Sequence, residues 1–257
     1  FGLDKKLIKS VTSKEKKQGA PRAISTCLDS WKLEKLTDFN FNDIQSGVSF
    51  IFNKSKLNSS WLIWDTLKCR VYDDNMKNLN ILVTGGAGYV GSVLIPSLID
   101  DDHNVKCLDR FFFGDKFLSS KQFEENLELI RDDIRWFDPK ILQDVDVVID
   151  LAALSNDPVG ELNPDKTYEI NHQGRARVAK LSKEAGVPRY ILASSASIFG
   201  QVEGTADENS EVFPLTAYSK ANRKAEIDNL ALNDEAFTVT ALRFSSLFGV
   251  SPRMRFD

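Results

Sequence analysis

Cysteine and histidine are scarce in this chain. Three cysteines, Cys27, Cys69 and Cys107, are spread over 257 residues. Their odd number and wide spacing argue against a disulfide scaffold and for a reducing compartment, so a cytoplasmic setting is expected. His103 and His172 are the only histidines. Without clustered Cys or His ligands no metal site is expected. A Ser-His-Asp hydrolase would need one of those two histidines, and no G-x-S-x-G elbow occurs. No apolar run approaches the roughly 18 residues that a transmembrane helix requires. The opening Phe1-Gly-Leu-Asp-Lys-Lys lacks the charged-then-apolar order of a signal peptide. It also lacks a methionine, so residue 1 need not be the natural start. A surplus of positive charge is missing too. The net charge is −4 and the pI about 5.4, which argues against a nucleic-acid partner.

What remains is an ordinary composition, 42% hydrophobic and 27% charged, with enough apolar material for a sizeable core. The length suits one or two domains. The character of the sequence changes near Met76. Residues 1–75 are polar, rich in Lys, Ser and Asn, and weakly periodic, and they are expected to form an appendage of uncertain fold. Within them, residues 43–52 fit an amphipathic helix, and Trp61 to Trp64 make an apolar patch. Residues 76–257 alternate short apolar runs with longer helical patterns. Strands are expected at 80–84, 104–109, 127–131, 145–151, 190–194 and 237–243. Helices are expected after Val90, bent or weakened at Pro96, then over 164–185 without interruption, and over 217–232. This alternation predicts βαβ units, an α/β doubly wound parallel sheet with helices on both faces.

The first strand runs into Thr84-Gly-Gly-Ala-Gly-Tyr-Val-Gly91, which opens a helix. Gly85, Gly88 and Gly91 are spaced three apart. Glycine serves where the backbone must turn tightly and let a pyrophosphate approach the amides, and the helix start supplies free N–H groups and a positive dipole end. Strand two ends in Asp109, 24 residues after Gly85. A carboxylate there accepts the adenosine ribose hydroxyls and repels a 2′-phosphate, so NAD is expected over NADP. Arg110 follows directly and softens that preference.

These residues resemble the extended short-chain dehydrogenase/reductase superfamily, specifically its NAD-dependent nucleotide-sugar epimerases and dehydratases. The resemblance runs from Met76 to Asp257 and implies a Rossmann-like fold. The loop Thr84 to Gly91 has the extended glycine spacing, which brings Tyr89 and Val90 to the cofactor as well. Asp132-Asp133-Ile134 follows strand three, and the resemblance assigns Asp133 and Ile134 to the adenine. Leu151, Ala152, Ala153 and Leu154 close strand four, where the family lays backbone along the cofactor. Asn171 stands at the family's asparagine position. Ser194-Ser-Ala-Ser-Ile-Phe-Gly200 resembles the segment carrying the catalytic hydroxyl, which falls on Ser195. Pro214-Leu-Thr-Ala-Tyr218 resembles the segment carrying the catalytic tyrosine. The implied chemistry is hydride transfer between a sugar carbon and nicotinamide, with Tyr218 as acid/base and Ser195 holding the sugar oxygen. A 4-epimerase is favoured, since Ala196 and Ser197 stand where a dehydratase carries an acidic pair. The partner implied is a nucleotide sugar, and the helices at 164–185 and 217–232 are candidates for a homodimer interface.

One departure stands out. The family pattern is Tyr-x-x-x-Lys, but Asn222 follows Tyr218 at that spacing. Lys220 and Lys224 lie two residues to either side, on other faces of the helix. Glu226 keeps the family register. A free phenol titrates near 10, so bringing it to about 7 needs roughly 4 kcal/mol of phenolate stabilisation. Asparagine can donate a hydrogen bond to a ribose but carries no charge. Weak or altered catalysis with cofactor binding retained is therefore expected. In this superfamily the substrate lobe comes mostly from the C-terminal part, and the chain stops soon after strand six, so that lobe is expected to be largely missing. Residues 19–36 resemble the C-terminal tail of the dTDP-4-dehydrorhamnose reductases, which implies either a fusion or a fragment read across two coding regions. Two other readings stay open: an NAD-binding module acting as sensor or partner protein, and a reductase of a small ketone.

Overall fold

The computed structural model describes residues 78–119, 123–155, 157–202 and 204–254. The N-terminal appendage expected over 1–75, with its helix and its Trp61–Trp64 patch, lies outside the described residues.

The six strands expected from the sequence are present. They are β1 (Asn80–Thr84), β2 (Asn104–Asp109), β3 (Leu127–Arg131), β4 (Val147–Asp150), β5 (Arg189–Ser195) and β6 (Thr238–Phe244). All pairings are parallel, in the order β3-β2-β1-β4-β5-β6. This is the Rossmann-type order, and the chain reverses direction across the sheet between β1 and β4. Why the strands read as unbroken apolar runs is visible in β1. Ile81 and Val83 face one core with Ile95, Val105 and Cys107, while Leu82 faces the other with Leu108, Val148, Val178, Leu192 and Ala225. Alternate side chains enter opposite faces, and helices cover both. Each fully buried aliphatic side chain contributes roughly 1.5–3 kcal/mol.

α1 (Gly91–Asp100) runs continuously through Pro96. The helices depart from expectation after β4. α2 (Asp157–Leu162) and α3 (Pro164–Tyr168) follow β4. The segment read as one helix over 164–185 is α3, then a π-helical turn at Glu169–Gly174, then α4 (Arg175–Glu184). π turns concentrate at functional sites, and this one contains Asn171. α5 (Ala217–Leu230) is fixed at its start by a capping box between Thr216 and Ser219. Among the described residues, no helix is long and apolar enough to cross a membrane, and no group of three His, Cys, Asp or Glu is placed to hold a metal.

Candidate active site

The glycine loop joins β1 to α1 at the point where the strand order reverses. Gly85 has φ +67°, and a Cβ there would lie 2.7 Å from the Cα of Ala152. Both facts exclude a side chain. A Cβ on Gly91 would fall 2.4 Å from the Gly86 carbonyl oxygen, so this glycine lets α1 start directly against the loop. Gly88 is different: its Cβ would meet only the Gly85 oxygen, at 3.1 Å. The fold does not demand glycine there, yet its absence of a side chain leaves bare backbone at the helix N-terminus. That cradle suits a pyrophosphate. Val90 starts the helix, its carbonyl accepting from Leu94 N–H at 3.0 Å. The Tyr89 hydroxyl donates to the Gly249 carbonyl at 2.7 Å, and Ser251 Oγ donates to the Tyr89 carbonyl at 2.8 Å. Tyr89 thus ties the turn after β6 to the loop. Beneath the loop, burial, aided by the Asp109 charge, pushes the Cys107 thiol up to about 12.

Asp109 ends β2 beside the loop. Its carboxylate accepts from Ala87 N–H at 3.0 Å and from Phe111 N–H at 2.7 Å. Each oxygen keeps lone-pair capacity for a further donor. Arg110 turns away, donating through Nη1 to Asp133 at 2.7 Å and lying over the Phe112 ring. Asp133 is 7% exposed and carries four donors. Oδ1 accepts from Arg135 N–H and Nε at 3.0 and 2.9 Å; Oδ2 accepts from Arg110 Nη1 at 2.7 Å and Arg135 Nη2 at 2.8 Å. Burial acts to raise this carboxyl's pKa, but the bonds from Arg135 and Arg110 outweigh it and hold the group well below the usual carboxylate range. Ile134 is buried against Gly174 of the π turn.

β4 stops at Asp150, one residue before the expected end, and residues 151–155 leave the sheet as a loop. Leu151 N–H still donates to the Thr84 carbonyl at 3.1 Å, and Ala152 N–H to Thr84 Oγ1 at 3.3 Å. Ala153 lies in the same loop. Leu154 is held from both sides by Asn171: its N–H donates to Asn171 Oδ1 at 2.8 Å, and Asn171 Nδ2 donates to its carbonyl at 2.9 Å. The widened π turn therefore has a visible function, since it carries the side chain that fixes the loop after β4.

β5 ends at Ser195, whose Oγ accepts from Ser197 N–H at 3.2 Å as the cap of the 3₁₀ turn Ala196–Phe199. Tyr218 is the second residue of α5. That helix start is pinned by α2, with Asp157 accepting from the Thr216 hydroxyl and Glu161 accepting from Ala217 N–H. Two carboxylates at a helix N-terminus also complement its dipole. Asn222, one turn on, is 1% exposed. Its Oδ1 accepts from Arg175 Nη1 at 2.7 Å, and its Nδ2 donates to the Tyr218 carbonyl at 3.0 Å. The guanidinium needs an acceptor, which fixes which end of the amide faces it.

Arg175 belongs to a buried network absent from the sequence reading. Its side chain is wholly buried, pairs with buried Asp150 at 3.3 Å, and donates to the carbonyls of Asp150 and Ala193 at 3.0 and 2.6 Å. Asp150 also accepts from Thr84 and from the Tyr190 hydroxyl. Burial and the Asp150 charge push the Tyr190 phenol well above its ordinary value. Two signals could have found the network. One is an aspartate inside an apolar strand. The other is an arginine four residues after Asn171, on the same helix face.

Because every strand is parallel, the ends of β1, β2, β4 and β5 lie on one edge of the sheet, beside the start of α5. Open parallel sheets bind ligands at this edge, at the switch point. Residues 81–257 match the model of the NAD dependent epimerase/dehydratase family. The chain belongs to that family. NAD is the family's cofactor, and the glycine cradle and Asp109 fit it. UDP-glucuronic acid decarboxylase 1 of Xenopus tropicalis is 34% identical over 69% of this chain and 42% of its own length. The chain thus spans less than half of that relative. Among solved structures, the UDP-glucuronic acid 4-epimerase of Bacillus cereus in complex with NAD aligns with TM-score 0.62 and 26% identity, over 69% of this chain and 59% of that one. The UDP-N-acetylglucosamine 4-epimerase of Methanobrevibacter ruminantium aligns with TM-score 0.61 and 28% identity, over 65% and 55%.

Proposed function

We propose that the chain is the cofactor-binding part of an NAD-dependent nucleotide-sugar epimerase, similar to UDP-glucose 4-epimerase. The observation that carries this reading is the shared edge: the glycine loop ends β1, the Asn171-held loop follows β4, Ser195 ends β5 and Tyr218 opens α5. NAD, when bound, supplies a hydride acceptor that can later return the hydride to the sugar. Gly85, Gly88 and Gly91 admit its pyrophosphate, and Asp109 accepts its ribose hydroxyls. Tyr218 Oη takes the proton from a sugar hydroxyl, and Ser195 Oγ holds the same oxygen. Asn222 anchors the first turn of α5 under Tyr218. The site works in a cytoplasmic setting, and a homodimer would use α3, α4 and α5, where Ile227 and Leu230 are exposed.

A second reading follows from the neutral, buried Asn222: an NAD-binding module without turnover. One experiment separates them. The full-length protein that contains this chain is incubated with NAD and, in turn, UDP-glucose, UDP-N-acetylglucosamine and UDP-glucuronic acid, and products are followed by NMR. The epimerase reading expects a C4 epimer that Tyr218→Phe and Ser195→Ala each remove. NAD binding with no product from any of the three sugars would support the module instead.

A further inference from the structure

The hydrogen-bond accounting at Asp133 conflicts with the adenine-binding role that the resemblance assigns to it. An ionised carboxylate offers about four lone-pair sites. All four are filled by Arg110 and Arg135, at 2.7–3.0 Å. Nothing is left for an adenine amino group. Arg110 sits directly after Asp109, the residue that ends β2 beside the glycine loop. A guanidinium at that place is the side chain suited to pair with a ribose 2′-phosphate, because it is always charged and forms bidentate bonds to phosphate. Here it is committed elsewhere. One end bonds to Asp133, and its face lies over Phe112 with 4.9 Å between Cζ and the ring centroid. Asp133 is itself held by Arg135, which also bonds to Glu169 at 2.9 Å and lies over the Trp136 ring. The lock therefore has a rigid base.

We propose that Asp133 is a specificity-determining residue that withholds Arg110 from the cofactor's 2′ position, so that this chain selects NAD over NADP through two carboxylates. Asp109 repels the 2′-phosphate, and Asp133 removes the cation that would neutralise it. This inference rests on the cofactor site alone and is independent of the sugar chemistry.

The test is calorimetric titration of the full chain with NAD and with NADP. Four proteins are compared: the parent, Arg110→Ala, Asp133→Asn and the double variant. The parent binds NAD at least tenfold tighter than NADP. Arg110→Ala, which leaves the Asp133–Arg135 pair intact, keeps the NAD:NADP ratio within twofold. Asp133→Asn shifts the ratio toward NADP by about tenfold, and adding Arg110→Ala to it erases the shift. The proposal is overturned if Arg110→Ala alone lowers NADP affinity relative to NAD, because Arg110 would then already serve the 2′ position. An unchanged ratio in a folded Asp133→Asn protein also overturns it. If Asp133→Asn does not fold, Arg110→Ala decides alone. A parent that binds neither nucleotide removes the cofactor site and this proposal together, whereas absent sugar turnover with NAD bound leaves it standing.

Discussion

Asn222→Lys restores the side chain of the family pattern, and the structure makes it a destabilising change. Asn222 Oδ1 accepts from Arg175 Nη1 at 2.7 Å, and both side chains are buried. Lysine removes that acceptor and brings a second cation to the guanidinium. Two like charges about 4 Å apart at an effective dielectric near 20 repel by about 4 kcal/mol. The flexible lysine stem can swing outward, or the amine can shed its proton, and either relieves part of the cost. The net expectation is roughly 2–4 kcal/mol, a loss of about 5–15 °C in Tm for a domain of this size. Thermal unfolding followed by far-UV circular dichroism measures it. A Tm equal to or above the parent's for Asn222→Lys alone would refute the reasoning, since the guanidinium and residue 222 would then not share a buried contact.

The glycines separate fold from ligand. Gly85→Ala must adopt φ +67° with its Cβ 2.7 Å from Ala152 Cα, so strain of about 1–3 kcal/mol and a Tm loss of several degrees are expected. Gly88→Ala meets only one oxygen at 3.1 Å and should keep Tm within about 2 °C while weakening NAD at least tenfold. Equal Tm losses in the two variants would contradict this. Asp133 gives a pH test. Its folded pKa is depressed, so its stabilisation is present above the unfolded value of about 3.9 and is lost as pH falls through the folded one. Asp133→Asn should therefore be less stable than the parent at pH 7, with the gap narrowing below about pH 4 in urea titrations. A gap of constant size from pH 7 to pH 3 would count against the ion-pair account.

Burial on both faces is why β1 could be read to the residue. Ile81, Leu82 and Val83 are apolar whichever way they point, whereas Lys106 in β2 and Glu128 and Arg131 in β3 interrupt the apolar run and leave those strands to be read from their flanking turns and remaining apolar residues. β4 was read too long because Leu151 continues the apolar run, although Asp150 is the last residue paired in the sheet. The π turn was illegible for another reason. Its function depends on Leu154, which lies 17 residues away in sequence and meets Asn171 only in three dimensions. The same holds for Asp150, Arg175 and Asn222, which come from a strand and two helices. Sequence spacing identified Asn222 as unusual and found no substitute cation on its own helix, where Lys220 and Lys224 face elsewhere. The nearby cation is on α4. Arg110 shows the limit once more: its position after Asp109 was legible, while its contact with Asp133, 23 residues on, is made only in three dimensions.

The most direct test of the account is whether the sheet edge binds its dinucleotide through the residues named. Isothermal titration of the purified chain with NAD, beside Asp109→Ala checked for an unchanged far-UV spectrum, measures this. The account predicts saturable NAD binding that Asp109→Ala weakens at least tenfold, because the ribose hydroxyls lose their acceptor. NAD binding of equal strength in a folded Asp109→Ala protein, or no binding by the parent, would contradict it.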